Sequence, residues 1–440
     1  MNNIPNVKVG ILSKSALEFT LYGQYKYLDT TLKGIHKAWF DAGEIIFDGK
    51  PCKEVLLEPI DPENCHFGLN DVTIGVNFHW QRTERQCFKG SLMLLCENSA
   101  ITAINIINIE EYLLSVISSE MSATSSLEFL KAHAVISRSW LVAQIKKKVN
   151  IAIKHDETVA NSDEELIKWY DREDHKNFDV CADDHCQRYQ GINRESTDAV
   201  RQAIDATRGE VLMYDGELCD TRFSKCCGGV YELFENCWEP VHHDYLEARR
   251  DGVDENNFPD LTKEENAAHW IMSYPKAYCN TNDKNILTQV LNNYDQETSD
   301  FYRWKIEYTQ EQISQLIKER SGIDFGQIID LQPIARGTSG RLYKMKIVGS
   351  KRSLIIGKEL EIRRTLSKSH LYSSAFIVER HNISDNGIPQ KFVLRGAGWG
   401  HGVGLCQIGA AVMGEKGYSY RQILFHYFKN ATITKLYDRL

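Results

Sequence analysis

Long apolar runs and an excess of positive charge are both missing from this 440-residue sequence. Because no run approaches the roughly 20 apolar residues that a spanning helix needs, no transmembrane helix is predicted. The net charge is -8, from 52 basic and 60 acidic side chains, which argues against a general nucleic-acid-binding protein, since such proteins carry a basic surface. A neutral or weakly charged polymer such as a glycan stays compatible with this charge.

Targeting signals, internal repeats and nucleotide-binding loops are missing as well. The first ten residues do not join a basic region to a long apolar core, so they predict no signal peptide. This favours either an intracellular protein or one whose export signal lies outside the sequence. The glycines near residue 400 lack the spacing of a dinucleotide-binding loop, and no Gly-Lys-Ser/Thr follows them. The sequence therefore indicates no organic cofactor.

Cysteine, by contrast, is frequent. The 12 cysteines are many for a cytosolic enzyme but few for a disulfide scaffold of this length. Seven of them lie between residues 181 and 279. Isolated ones such as Cys52, Cys87 and Cys96 are expected to be small buried apolar side chains.

Hydrophobic periodicity predicts a mixed, strand-rich α+β fold. Residues 6–100 read mainly as strands, and a helix over 110–118 precedes a longer one that a Ser125/Glu128 capping box opens. The expected strands are 7–12, 17–21, 54–57, 71–78, 90–95 and 101–108. Residues 186–235 are expected to be strand-rich, and 240–300 irregular.

The C-terminal half predicts a second α+β subdomain. It has a helix over 309–321, strands over 328–333, 342–349 and 352–357, and helices over 406–416 and 419–428 on either side of Gly417. The predicted organisation is a strand-rich region (1–100), a core (101–240), an insertion (241–300), the α+β subdomain (301–394) and a C-terminal piece that completes the core (395–440).

Five glycines alternate with five other residues from Arg395 to Gly404. If this run is extended, the period of two puts the glycines on one face and the other residues, Trp399 and His401 among them, on the opposite face. Glycine weakens a strand, so the run indicates close approach of another backbone or of a ligand. A glycine-rich packing turn is the alternative.

Glu120 is the first candidate for chemistry. It lies between the two predicted helices, where a carboxylate can project into a groove as a general acid or base with its pKa raised by apolar surroundings. A solvated loop carboxylate is the commoner case. Lys131 and Arg138 lie two turns apart on the second helix and would orient that acid. A pair of exposed cations on an amphipathic helix is the alternative.

A candidate metal site lies farther along the chain. His175, Cys181, His185 and Cys186 supply two imidazoles and two thiols within 12 residues, a donor set that suits tetrahedral zinc. The spacing does not match a standard zinc finger. Four protein ligands would make the zinc structural, whereas an open coordination position would make it catalytic. The alternative, reduced cysteines beside surface histidines without a metal, carries equal weight. Rival ligands or disulfide partners are Cys219, Cys226, Cys227, Cys237 and Cys279.

Three segments, in chain order, together resemble the stage II sporulation protein D/LytB family. They are residues 110–140, with Glu120-Met121 and the stretch from Leu130 to Trp140; residues 336–341; and residues 398–410, which are similar to the family's closing motif. The resemblance covers roughly residues 70–440. Two departures are His133, where the family often has glutamine, and the stretch 240–300, which has no place in the core family.

This resemblance implies a function and a site. Members related to the sporulation protein are lytic transglycosylases that cut peptidoglycan glycan strands stripped of stem peptides, and LytB-like members enhance a cell-wall amidase. The family's catalytic glutamate falls on Glu120, and some members bind zinc through a cluster like that at 175–186. Trp399, His401 and Gln407 would line the glycan groove. The implied partners are glycan strands or an amidase, and the implied location is the cell envelope.

Two further hypotheses belong to other functional classes. A non-catalytic module would bind glycan and activate a partner amidase without forming product. A zinc hydrolase would instead use the His/Cys cluster and lose turnover with a chelator.

Overall fold

A computed structural model describes residues 4–75, 81–122, 125–150, 159–169, 175–183, 185–193, 197–290 and 300–437. The chain divides into two compact units. The first unit comprises Met1–Asn150, Asp174–Val211 and Ile433–Leu440, and the second comprises Ile151–Glu173 and Leu212–Thr432. Neither unit is therefore continuous in sequence. Within the described residues, no helix is both long and apolar enough to cross a membrane.

Strands fill the N-terminal part of the chain, as the alternation of apolar and polar residues predicts. They are β1 (Asn6–Lys14), β2 (Ala16–Tyr27), β3 (Thr30–Asp41), β4 (Glu44–Phe47), β5 (Lys50–Cys52), β6 (Glu54–Pro59), β7 (His66–Ile74), β8 (Arg82–Phe88), β9 (Ser91–Glu97) and β10 (Ala100–Asn108). Two helices follow, α1 (Ile109–Glu120) and α2 (Leu127–Asn150). The Asn108 side chain caps α1 by accepting the backbone N–H of Glu111 at 2.9 Å.

The rest of the chain alternates short strands with helices. In order they are β11 (Val159–Asn161), β12 (Glu165–Lys168), β13 (Val180–Cys181), α3 (Asp198–Ala206), β14 (Glu210–Tyr214), β15 (Glu217–Leu218), β16 (Phe223–Ser224), α4 (Glu264–Met272), α5 (Lys284–Val290), β17 (Arg303–Thr309), α6 (Gln310–Ser321), β18 (Ile328–Arg336), β19 (Leu342–Gly349), β20 (Ser353–Gly357), α7 (Glu359–Thr365), β21 (Phe376–Ile383), β22 (Pro389–Ala397), β23 (Leu405–Cys406), α8 (Gln407–Glu415), α9 (Tyr420–Tyr427) and β24 (Thr432–Lys435). Single 3-10 turns occur at Gly191–Asn193 and Phe234–Asn236.

The first unit is built on one large sheet. Its strand order is β13-β1-β10-β9-β6-β2-β3-β4-β5, with β7 pairing to β2 and β8. Helix α1 packs against α2 and α3, and it buries Tyr112, Leu113 and Val116 completely. Because the apolar face of α1 is held in this core, the position of its last residue, Glu120, is held with it.

The second unit contains a five-stranded sheet, ordered β11-β12-β20-β19-β18, and a three-stranded antiparallel sheet, β17-β22-β21. Both contribute to one apolar core with α6 and α7; its members include Trp304, Ile313, Ile347 and Phe392. The short strands β16 and β23 pair in parallel and bring the segment before Cys226 beside Cys406.

The strand-rich α+β class is confirmed, and so are most of the predicted helices and strands. Four short helices were not predicted: α3 lies in the stretch expected to be strand-rich, α4 and α5 lie in the stretch expected to be irregular, and α7 follows the last strand predicted in the α+β subdomain. Helix α3 buries Val200, Ala203 and Ile204 at helical spacing, but over only nine residues. The strand predicted over 71–78 is observed as β7 (His66–Ile74), and residues 76–78 lie outside the described part of the chain.

Candidate functional site

Glu120 is the last residue of α1 rather than a loop residue. Met121 ends the helix in an extended conformation. The Glu120 side chain is half-buried, and its Oε1 accepts the backbone N–H of Arg188 at 3.2 Å. The C-terminal end of a helix carries partial negative charge, which disfavours a carboxylate, whereas the N–H donor favours it. These two influences on the charged carboxylate oppose each other.

Arg138 occupies a buried structural site. Its side chain is 0% exposed and bonds both oxygens of Glu110, at 3.0 Å from Nε and 2.7 Å from Nη2. Tyr437 donates its hydroxyl to the same carboxylate at 2.6 Å, and the N–H of Gly209 donates at 3.2 Å. Burial alone raises the pKa of Glu110, but the guanidinium charge and these donors hold that pKa below its usual value.

This placement contradicts the expectation that Arg138 lies on an exposed helical face. A guanidinium bound to Glu110 and to the carbonyl of Glu210 is already satisfied and holds α1 and α2 together. Lys131 is different, since it is only partly buried and pairs with Glu128 at 2.6 Å. His133 is buried, with Nδ1 3.2 Å from the Ser137 hydroxyl.

The four predicted zinc ligands lie together in the first unit. One ligand atom from each of His175, Cys181, His185 and Cys186 falls within 4.8 Å of all the others. The Cys186 Sγ lies 3.6 Å from His175 Nε2 and 3.5 Å from His185 Nδ1. Hydrogen bonding to Cys186, with further bonds to both imidazoles, lowers the pKa of Cys181 to about 2 despite its burial. The donor set fits one tetrahedral zinc ion.

The cluster adjoins the segment that contacts Glu120. Two residues after Cys186, the N–H of Arg188 bonds the Glu120 carboxylate. Between them, Gln187 accepts the Tyr112 hydroxyl at 3.2 Å and donates to the carbonyl of Ser137 at 3.3 Å, so it contacts both α1 and α2. Holding Cys186 in place therefore also holds a hydrogen-bond donor of Glu120 in place.

The glycine run, in the second unit, is not one extended strand. Strand β22 ends at Ala397, and the four following glycines have left-handed φ angles of 77°, 93°, 79° and 71° at residues 398, 400, 402 and 404. The prediction that five glycines share one face of a strand is therefore wrong beyond residue 397. Glycine is required here because L side chains rarely adopt these angles.

A buried arginine explains the close approach at the run. Arg341 is 1% exposed and donates to the carbonyls of Gly400 at 3.1 Å and Cys227 at 3.0 Å. A Cβ at Gly402 would lie 2.5 Å from the Arg341 guanidinium carbon. A side chain thus makes the approach at Gly402, whereas at Gly398 and Gly404 a Cβ would meet the backbone carbonyls of Cys226 and Arg222, as the sequence indicated.

Glu232 anchors the loop that carries Arg341. Its buried carboxylate accepts the hydroxyl of Ser339 at 2.6 Å and that of Thr338 at 3.1 Å, together with both of their N–H groups. Arg336, at the start of the same segment, pairs with Glu264 through two bonds of 2.6 and 2.8 Å. The segment 336–341 is therefore architectural.

The other predicted groove residues also lie in the second unit. Trp399 is half-buried, with its ring 4.3 Å from that of Tyr372. His401 is half-buried too; its Nδ1 accepts the N–H of Val403 at 3.0 Å, and burial, followed by the charge of Arg222, holds its pKa well below the usual range. His401 is therefore neutral near pH 7.

Gln407, the first residue of α8, is 2% exposed. This burial disagrees with a side chain that bonds a glycan, although it is compatible with a bond to the backbone. The glycan groove itself stays a prediction.

Sequence reasoning missed one group of side chains. Cys227, Asp251, Cys279 and Cys406 are all buried, and one ligand atom from each lies within 4.8 Å of the others. The sequence signal was the Cys226-Cys227-Gly228-Gly229 stretch, which raised Cys227 and Cys279 only as rival ligands. Nothing in the local pattern pointed to Asp251.

Two family models match separate parts of the chain. Residues 97–214 match the model described as stage II sporulation protein, and residues 232–404 match a domain of unknown function, DUF8618. The first match contains Glu120, Lys131, Arg138 and the His/Cys cluster. The second contains Arg341 and the whole glycine run, residues 395–404.

Several relatives are similar over most of the chain. An uncharacterized protein of Brachyspira hyodysenteriae is 28% identical over 353 residues, which are 80% of this chain and 73% of that protein. The amidase enhancer of Bacillus subtilis is 25% identical over 72% of this chain, but the match spans only 40% of the enhancer. Stage II sporulation protein D of Bacillus subtilis is 22% identical over 77% of each chain.

Proposed function

We propose that this chain, which belongs to the stage II sporulation protein D/LytB family, is a lytic transglycosylase that cleaves denuded glycan strands of peptidoglycan. The observation that carries the proposal is the place of Glu120 within the sporulation-protein match. It stands half-buried at the end of a helix that the core holds rigidly, with one backbone donor on its carboxylate. A partly desolvated acid in a fixed position is what general acid–base catalysis requires.

The proposed reaction uses Glu120 twice. Protonated Glu120 first gives its proton to the glycosidic oxygen as the bond from that oxygen to the muramoyl C1 breaks. The carboxylate then takes the proton of the muramoyl 6-hydroxyl while the oxygen of that hydroxyl bonds to C1. This new bond closes an anhydro ring. No water is consumed, and Glu120 ends protonated as it began. A single carboxylate suffices because the substrate supplies the nucleophile, unlike the two-carboxylate hydrolases.

We propose zinc at His175, Cys181, His185 and Cys186, with a structural role. Four protein ligands would leave no open position for a water molecule, which is the pattern of structural sites. The ion would hold the segment up to Arg188, whose N–H bonds Glu120. The chelator-sensitive zinc hydrolase is therefore the less favoured hypothesis.

For substrate contacts we propose Lys131, Trp399 and His401. Lys131 and Trp399 keep part of their side chains exposed, and a half-exposed indole can stack on a sugar face. The neutral His401 already accepts the N–H of Val403 and hydrogen-bonds the Phe223 backbone, so a glycan hydroxyl would have to replace one of these bonds. Arg138 and Gln407 are buried and are not included.

A second candidate function is non-catalytic activation of a cell-wall amidase through glycan binding. It is favoured by the similarity to the amidase enhancer of Bacillus subtilis, which covers 72% of this chain. This activator would bind glycan without making anhydro ends and would stimulate a separately purified amidase. The two functions therefore differ in a product that can be measured.

The deciding experiment incubates the wild type, Glu120→Gln and a matched control with denuded glycan strands, followed by mass spectrometry of the products. Glu111→Gln is the control, because Glu111 lies in the first turn of the same helix, at the opposite end. We expect anhydro-muramoyl ends from the wild type and from Glu111→Gln, but not from Glu120→Gln. Anhydro ends from Glu120→Gln would refute the catalytic assignment, and amidase stimulation without any anhydro product would establish the activator.

A further inference from the structure

We propose that Cys227, Asp251, Cys279 and Cys406 form a second metal site, in the interior of the second unit, which binds one structural zinc ion. The proposal is independent of the glycan chemistry, because none of these residues takes part in it. Four separate segments of the chain supply the ligands, so the site exists only in the folded protein. The argument rests on spacing, on the donors around the ligands and on burial.

The spacing fits a single ion. One ligand atom from each residue lies within 4.8 Å of the other three, and Cys227 Sγ is 3.5 Å from Cys279 Sγ. Tetrahedral zinc with Zn–S bonds of about 2.3 Å separates its thiolates by about 3.8 Å. A cluster of several irons would hold its cysteines farther apart. The donor set, three thiols and one carboxylate, is one that zinc accepts.

The backbone is arranged to support thiolates at two of the cysteines. The N–H of Cys227 points to Cys406 Sγ at 3.2 Å, and the N–H of Gly229 points to Cys227 Sγ at 3.4 Å. Cys406 also immediately precedes α8, where the positive end of the helix dipole favours an anionic ligand. Metal-binding thiolates need such surrounding donors.

The carboxylate of Asp251 has the surroundings of a ligand too. Its Oδ2 accepts the N–H of Cys279 at 3.0 Å, while its Oδ1 accepts the hydroxyls of Tyr231 at 3.3 Å and Tyr427 at 3.0 Å. These bonds orient the carboxylate, as the hydrogen bonds around a metal-ligating carboxylate do. A Cβ at Gly409 would lie 2.6 Å from Oδ2, so glycine there leaves the carboxylate its room.

Because its four side chains are buried, the cluster is expected to be most stable with a cation bound. The four side chains are at most 2% exposed. Buried charges are costly unless they are paired or bind a metal. A disulfide between Cys227 and Cys279 is the competing arrangement, but it would leave Cys406 and Asp251 without a common partner. One ion accounts for the convergence of all four.

The bound ion would fasten the end of the glycine run. Cys406 follows that run by two residues, and its partners come from the segments at 227, 251 and 279. The ion would thus connect the start of α8 to three distant segments. Its role is structural, since four protein ligands leave no open position.

Zinc analysis in a Cys181→Ser/Cys186→Ser background separates the two clusters. Purified without added metal, this double variant is expected to keep about one zinc ion per chain. Adding Cys279→Ser should remove that ion, whereas adding Cys219→Ser should leave it, because Cys219 is an equally buried free thiol away from the four ligands. A folded double variant without zinc, or one that keeps its zinc after Cys279→Ser, would overturn the proposal.

A second measurement needs no variant. Anomalous diffraction from wild-type crystals at the zinc edge should show a peak surrounded by Cys227, Asp251, Cys279 and Cys406. Absence of that peak would overturn the site. Peptide mapping under non-reducing conditions that finds Cys227 joined to Cys279 would do so as well, in favour of the disulfide.

Discussion

The candidate groups of the first unit differ in exposure from the anchoring groups of the second. In the first unit, Glu120 and the His/Cys cluster are partly exposed, and the four cluster residues lie within 12 positions along the chain. In the second unit, Glu232, Arg341 and the Cys/Asp cluster are buried, and each is satisfied by segments far away in sequence. The difference separates groups that are available for chemistry from groups that hold the fold.

The largest expected effect is on catalysis. Glu120→Gln should lower the rate of anhydro-product formation by about 100-fold or more with little change in melting temperature, because it removes a proton donor from a half-exposed position.

Glu232→Gln should instead lower the melting temperature. It weakens a buried acceptor of six donated hydrogen bonds and should lower stability by about 2 kcal/mol. Activity assays and thermal unfolding check both, and a Glu120→Gln protein that melts much lower but stays active would break the comparison.

The next effect concerns the glycine run. Gly402→Ala places a methyl against the Arg341 guanidinium and strains a left-handed residue, so we expect a loss of about 3 kcal/mol in unfolding free energy. Gly417→Ala is the matched control: its φ is 82° but the space beside it is open, so only the strain of about 1 kcal/mol remains. If chemical denaturation shows equal losses of unfolding free energy for Gly402→Ala and Gly417→Ala, the contact with Arg341 contributes nothing to the loss.

Loss of the zinc proposed for the first unit should have a smaller, indirect effect. Cys181→Ser/Cys186→Ser should reduce activity about tenfold by loosening the segment that bonds Glu120, with the enzyme still active. A Lys176→Ala variant, altered within the same segment but not at a ligand, serves as the control. Complete loss of turnover, with retained fold, would instead favour a catalytic metal.

The smallest effect is a pH dependence of stability. The pKa of Glu110 is lowered in the folded state, so its pairing with Arg138 stabilises the protein above the unfolded pKa of a glutamate. That contribution is lost as the pH falls through the lowered, folded-state pKa. Denaturation curves from pH 7 downward should therefore show a decline that is shallower in a Glu110→Gln variant. Identical declines of stability with pH in the wild type and in Glu110→Gln would contradict the assignment of this pH dependence to Glu110.

The features that could be predicted from the sequence are those whose interacting residues lie close together along the chain. Helices α1 and α2 and the grouping of His175, Cys181, His185 and Cys186 were predicted, because spacings of a few residues report local structure. The burial of Arg138 was missed, because its partner Glu110 lies 28 residues away on another helix. Asp251 was missed as a ligand and Arg341 as an anchor, since Asp251 accepts bonds from residues 20 to 176 positions away and Arg341 bonds Gly400, 59 positions away. The alternating glycines indicated close approach, which backbone atoms make at Gly398 and Gly404, but the pattern could not name the Arg341 side chain that makes it at Gly402.

The bond from Tyr437 to Glu110 joins residues 327 positions apart. During synthesis, α1 and α2 emerge early, yet the last donor to their buried ion pair emerges only after the whole second unit has been made. The first unit therefore cannot complete this network until the segment that contains Tyr437 has been synthesised. We expect a nascent chain that stops before residue 437 to hold this ion pair more loosely, so that synthesis of the Tyr437 segment is the step that locks the helix bearing Glu120.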